Sequence, residues 1–194
     1  MTDGAFLNDD RGPVLLTLAR AAIASTLGQE LQADQSAPWL RAHGACFVTL
    51  TRDGNLRGCI GGLEARRPLL EEVTTFARAA AFDDPRFPPL SASELASVRI
   101  EVSLLTPLEP VPARSEVEAH RLVRPHVDGI VMEWRQRRGT FLPQVWEKLP
   151  SPEDFFENLK LKTGLPRDFW SEEIRLFRYQ VVKWSEAEIT EAAP

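Results

Sequence analysis

The stretch that most limits how this chain can fold is "GACFVTLTRDGNLRGCIGGL", residues 44 to 63. Two runs of strand-forming residues flank Asp53-Gly54. That dipeptide suits a two-residue type I′ turn, in which both positions take positive φ. The register that follows pairs Arg52 with Asn55, Leu50 with Arg57, Val48 with Cys59 and Cys46 with Gly61. Opposed residues share a face. Cys46, Val48, Leu50, Arg57 and Cys59 are therefore expected on one face, with Phe47, Thr49, Thr51, Leu56 and Ile60 on the other. A one-residue slip would exchange the faces of one strand relative to its partner. Both faces are largely apolar, so each needs cover.

The return strand gives up three side chains, at Gly58, Gly61 and Gly62, yet keeps a cation and a thiol. Glycine within a strand marks a bulge or a close approach of ligand or backbone. The expectation is open space beside Arg57 and Cys59, whose Cα atoms would lie about 6.6 Å apart. A guanidinium near a thiol favours the thiolate, which makes Cys59 the candidate catalytic residue. The competing reading is a small apolar filler, the usual role of a free cysteine. Cys46, among apolar neighbours, reads as core, and its diagonal placement argues against a Cys46–Cys59 disulfide. Arg57 has two readings as well. Paired with Glu101, Asp83 or Asp84 it is structural; facing a cavity it would hold a small anionic ligand.

"FDDPRFPPL" sets Asp84 and Arg86 on either side of Pro85. The pair is either a substrate-binding element or a self-satisfied ion pair in a stiff connector. Gln144, after Leu142-Pro143, could present its amide to a substrate. The three histidines, His43, His120 and His126, and the two cysteines lack metal-ligand spacing. No metal is expected. No nucleotide-binding glycine loop or nucleophile elbow is present, so no cofactor is expected either.

Helices are expected over 13–31, 67–81 and 151–164, the last with Ser151 as N-cap, Pro152 next and Gly164 at its end. Ser91 to Glu94 has the spacing of a capping box and could open a short helix. "VRIEVSLL" alternates as a strand, with Val98, Ile100, Val102 and Leu104 on one face. "TPLEPVPARSEVEAH" reads as an extended connector. Asp128-Gly129 reads as a turn, "IVMEW" and "TFL" as strands around an "RQRRG" tip, and 174–184 as one closing strand. Locally paired strands with intervening helices give an α+β fold. The 194 residues fit one domain, with a core over about 14–183 and loose ends at 1–12 and 185–194. A net charge of −5 gives no basic field for nucleic acid or an anionic membrane. No apolar run reaches membrane-spanning length, and "MTDGAFLNDDRGP" lacks the pattern of a secretory signal. With two cysteines and no disulfide framework, a reduced cytoplasmic protein is expected.

Five segments then fall in an order that resembles one family. They are "GACFVTLTRDGNLRGCIGGLE", "RPLLEEVTTFARAAAFDDPRFPPLSASEL", "IEVSLLTPLEP", "GTFLPQVWEKL" and "FFENLKLKTGLPRDFW". Together they resemble the AMMECR-one domain family, known in microbes as AmmeMemoRadiSam system protein A, with "LRGCIG" its hallmark. The likeness covers about residues 14 to 183. It implies an α+β fold with a larger and a smaller lobe around a cleft. It also implies association with a radical SAM protein and a Memo-like protein. It supplies no reaction. The motif positions are Leu56 to Gly61, then Asp84, Arg86 and Phe87, then Leu142, Pro143 and Gln144, and this chain fits at each. His126 departs, standing where the pattern has a small residue, often glycine. Two functions follow as expectations. One is an enzyme component in which the Cys59 thiol acts on a small molecule or peptide, with Arg57, Asp84, Arg86 and Gln144 binding it. The other is a non-catalytic binding or adaptor protein in which LRGCIG is a packing motif.

Overall fold

The structure, a computed structural model, describes residues 11–186. The described residues divide into two compact units, one of residues 11–105 and 182–186, the other of residues 106–181. The fold is α+β, as the alternation of periods implied.

The first unit opens with α1 (Arg11–Thr26), whose Leu15, Leu18, Ala19, Ala22 and Ile23 are buried. It ends five residues before the expected point. Gly28 takes φ +75°, and the Gln29 and Gly28 amides donate to the Ala24 and Ser25 carbonyls. That left-handed cap satisfies the last turn and stops the helix. A short 3₁₀ turn (Pro38–Arg41) leads into β1 (Ala45–Arg52) and β2 (Asn55–Gly61). Then come α2 (Leu69–Phe82) and β3 (Arg99–Leu105). The sheet order is β2-β1-β3-β8, where β8 (Val181–Ser185) arrives from the far end of the chain. Helices α1 and α2 cover the face carrying Cys46, Val48, Leu50, Ile100, Val102 and Leu104.

The hairpin turns where expected, with Asp53 and Gly54 at φ 51° and 74°. Its register is not the expected one. Arg52↔Asn55 holds, but a bulge next to Arg57 shifts the pairing to Leu50↔Gly58, Thr49↔Cys59, Val48↔Ile60 and Phe47↔Gly61. Cys59 therefore shares the face of Phe47 and Thr49, opposite that of Cys46, Val48 and Leu50. A bulge adds one residue to one strand and so exchanges the faces beyond it.

The expected empty space beside the glycines is filled by the chain itself. A Cβ on Gly58 would drive into the carbonyl oxygen of Ala80 in α2, and one on Gly61 into the ring of Phe47. Gly58 thus lets the helix backbone settle directly on the strand.

The second unit holds the sheet β4-β7-β5-β6, made of β4 (Glu109–Val111), β5 (Gly129–Trp134), β6 (Arg137–Phe141) and β7 (Arg175–Tyr179). Helices α3 (Glu116–Leu122) and α4 (Pro152–Lys162) complete it. Its core stacks Trp146 on Phe155 with centroids 3.7 Å apart. The Ser151 cap and the Gly164 terminus of α4 fall as expected.

Three expectations change in the second unit. The proline-spaced connector contains β4 and α3. Pro110 is tolerated because β4 is an edge strand, and Ser115 caps α3 through the Glu118 amide. Asp128-Gly129 is no turn. Asp128 is buried against Arg124, and Gly129 begins β5 with the Tyr179 ring where a side chain would be. The closing strand is two strands, β7 and β8, which belong to different sheets and are separated by Gln180.

Replacing Gly58 with alanine should lower stability by about 3 kcal/mol, because the clash is with backbone that cannot rotate away. Gly62→Ala, whose Cβ would meet only the Phe76 ring at 3.2 Å, should change it by about 1 kcal/mol or less. Urea denaturation of both variants checks the contrast.

Candidate functional site

Strand β2 is an edge strand, so its outward peptide groups have no neighbouring strand. At Cys59 the "DDPRF" loop supplies the missing partner. The Cys59 amide donates to Asp84 Oδ2 at 2.9 Å, and Arg86 Nη2 donates to the Cys59 carbonyl at 3.2 Å. The two side chains are themselves joined, Arg86 Nη2 to Asp84 Oδ2 at 2.7 Å and Nε to Oδ1 at 2.9 Å. Asp84 is 1% exposed and also accepts from the Arg86 amide. Pro85 between them holds the loop in the shape this needs. The Arg86 guanidinium, burial notwithstanding, keeps the Asp84 carboxyl well below the usual carboxylate range, helped by the Cys59 and Arg86 amides.

Cys59 is a free, half-buried thiol that accepts a hydrogen bond from Thr49 Oγ1 at 3.3 Å. The short cross-strand approach follows from the pairing. Where a residue's amide and carbonyl point off the edge, it forms a non-hydrogen-bonded pair, and its side chain lies closer to its neighbour's. The cation beside Cys59 is Arg86, whose own pKa is raised first by Asp84 and also by Cys59. Cys46, on the core face, is pushed up to about 12 by burial, with the nearby Glu72 charge adding to it. It is a neutral core thiol, as expected.

Arg57 is 12% exposed and forks onto Glu94, 20% exposed, through Nε–Oε1 at 3.1 Å and Nη2–Oε2 at 3.3 Å. Its partner is thus neither Glu101 nor Asp83 nor Asp84. Its Nη1 is buried with no hydrogen-bond partner among the described residues. Glu94 accepts from Arg52 and from the Ser91 amide too. Only half of the capping-box pattern at Ser91 forms, within a series of turns and not a regular helix: the Ser91 amide and hydroxyl both donate to Glu94 Oε2, while the Glu94 amide donates to the Ser91 carbonyl. Arg57 first, then the Ser91 amide and hydroxyl, hold the Glu94 carboxyl down at about 2. Gln144 belongs to the second unit, exposed on the 3₁₀ turn Pro143–Glu147. His126 is exposed at φ 63° before β5. A left-handed backbone there accounts for a pattern that has glycine at this place.

Sequence reasoning missed Glu94 as the partner of Arg57, and Thr49 as the donor to sulfur. The bulge was the signal for both, and glycine after arginine was its only trace. Among the described residues, no group of three or more His, Cys, Asp or Glu could hold a metal ion, and no helix is long and apolar enough to cross a membrane.

A bulged, glycine-lined edge strand clamped by an aspartate–arginine loop, in a two-unit α+β chain, defines the class of protein. The AMMECR1 family model matches residues 16–184, and the chain belongs to that family. A protein of Methanothermobacter thermautotrophicus is 40% identical over 183 residues, covering 90% of this chain and 93% of its own. Protein MJ0810 of Methanocaldococcus jannaschii is 34% identical and covers 92% of each. The crystal structure of uncharacterized protein PH0010 from Pyrococcus horikoshii matches with a TM-score of 0.73 at 34% identity, covering 92% of this chain and 93% of that one.

Glu94 titrates in the folded protein near 2, against an ordinary value of 4.5. A depressed carboxyl stabilises the fold fully above its unfolded pKa, and this is lost as pH falls through the folded one. Asp84 acts in the same direction. Glu94→Gln should therefore flatten the loss of stability between pH of about 4.5 and about 2, leaving the slope near neutrality unchanged. Urea midpoints taken across that range check it.

Proposed function

We propose that this chain is a non-catalytic binding or adaptor protein of the cytoplasm. Its partners are a radical SAM protein and a Memo-like protein, and LRGCIG is the scaffold on which the binding surface is built. The observation that carries this reading is the closure of the signature on itself. Arg57 is forked onto Glu94, Arg86 onto Asp84, and the sites of Gly58 and Gly61 are occupied by Ala80 and Phe47. A cation already paired in a partly buried setting has little left for a substrate anion. The partners rest on the family resemblance alone.

A second reading is favoured by one observation. The Cys59 thiol is only half-buried, with a hydroxyl donor and the Arg86 cation beside it. In that reading Cys59 reacts with a small molecule or peptide that Arg57, Asp84, Arg86 and Gln144 bind, and the chain is an enzyme component.

The two are separated by Cys59→Ser. Binding to the radical SAM and Memo-like proteins of the same genome, followed by calorimetry, should be unchanged, and any stability change should stay within about 2 kcal/mol. In parallel, iodoacetamide on the folded wild type should modify Cys59 no faster than a small model thiol at the same pH. Abolished partner binding in a folded Cys59→Ser protein, or alkylation well above that rate, would reverse the choice in favour of the thiol enzyme.

A further inference from the structure

On α1, Leu18, Ala21, Ala22 and Ser25 recur at helical spacing and so share one side of the helix. Along that side α1, α2 and the loop that follows α1 enclose a cavity of about 240 Å³. It is smaller than the roughly 300–1,000 Å³ of drug-sized sites, which suits a ligand of a few heavy atoms. None of Arg57, Cys59, Asp84 or Arg86 lines it. The site therefore stands whether the signature is scaffold or catalyst.

Its floor is apolar. Ala21 and Ala22 leave space between the helices that longer side chains would fill, and Leu18 borders it. At the rim Leu31 is 47% exposed, an apolar side chain left to water beside the opening.

The polar groups around the cavity are uncommitted. Arg78 donates through Nε to the Ala22 carbonyl at 3.4 Å, a long bond that ties the guanidinium to α1. Its two Nη groups have no carboxylate or other partner among the described residues. The Ser25 hydroxyl and the Gln32 and Gln35 amides make no side-chain hydrogen bond among those residues either. No Asp or Glu lines the cavity. Asp34 accepts instead from the Ser36 amide at 2.8 Å. A second cavity, between "GGLEARRP" and α2, is the opposite case: its Arg66 and Arg67 are closed on Glu64 and Glu72 of the same lining. In a chain of net charge −5, a cavity whose single charge is an unpaired cation is one anion short.

We propose that the cavity between α1 and α2 binds a short aliphatic monocarboxylate. The carboxylate takes the Nη edge of Arg78, since a guanidinium fork is its matching donor. The lining holds one cation and no acid, so it matches a single negative charge and offers nothing to an ammonium group. It also holds no aromatic ring, and the tail meets Leu18, Ala21 and Leu31. Ser25, Gln32 and Gln35 are the neutral hydrogen-bonding groups available to the rest of the ligand.

The test is titration of the full chain with butyrate, following backbone amides by NMR, with butylamine and inorganic phosphate as controls. Butyrate should shift the Ser25, Gln32 and Arg78 amides saturably, butylamine should leave them in place, and phosphate should bind less tightly than butyrate. Arg78→Gln, at an exposed position, should keep the urea midpoint of the wild type and weaken butyrate binding by about tenfold. Ala21→Leu, which fills the floor, should weaken it at least as much. The proposal is overturned by no saturable shift from butyrate up to about 10 mM, by equal shifts from butylamine, by tighter binding of phosphate, or by unchanged affinity in Arg78→Gln.

Discussion

The grip of Asp84 and Arg86 on the Cys59 peptide is the contact on which the first unit depends. An edge strand with glycines at Gly58, Gly61 and Gly62 has little side-chain packing to hold it and an open row of amides and carbonyls. The loop leaving α2 answers both problems at one residue, accepting from the Cys59 amide and donating to its carbonyl. One residue earlier, Gly58 lets the last turns of α2 lie against the strand at Ala80. Helix, loop and strand are therefore fastened at consecutive positions. The ion pair also takes the place of a neighbouring strand, which protects the edge from pairing with another chain.

Three arginines around this strand are each closed on a carboxylate: Arg57 on Glu94, Arg86 on Asp84 and Arg67 on Glu72. They differ in what remains available. Arg57 is nearly buried, forked onto Glu94 through Nε and Nη2, with Nη1 buried and without a hydrogen-bond partner among the described residues. Arg86 divides its donors between Asp84 and a main-chain carbonyl. Arg67 keeps an edge outside its fork, beside a cavity. An arginine two residues before a cysteine in a strand suggests an activated thiol, but the bulge at Arg57 sends that arginine to Glu94. The cation near the sulfur comes instead from a loop 27 residues away.

Much of this was legible in the residues. Asp53-Gly54 specified the turn, the alternation at 98–105 specified a core strand, and Ser151, Pro152 and Gly164 bounded α4. Each is a local signal, set by φ preference or by satisfied end groups. The misses share another cause. The bulge, the pairing of Arg57 with Glu94 and the close packing of Gly58 on Ala80 all arise from contacts between distant segments, which local preference does not encode. β4 and α3 were hidden by prolines that suggested an extended connector, although Ser115 and Glu118 carried a capping signature of their own. The division of 174–184 into two strands was concealed by an unbroken apolar alternation across Gln180.

That division bears on synthesis. Residues 106–181 are an insertion between two strands of one sheet, and the insertion closes on itself where the Thr106 amide donates to the Gln180 carbonyl at 2.9 Å. As the chain leaves the ribosome, β1, β2 and β3 emerge long before β8. Until roughly 75 further residues have been translated, β3 has a bare flank. The nascent chain thus carries an unfinished sheet while the whole of the second unit is being made, and the order in which the two units mature is written into where the last strand is encoded.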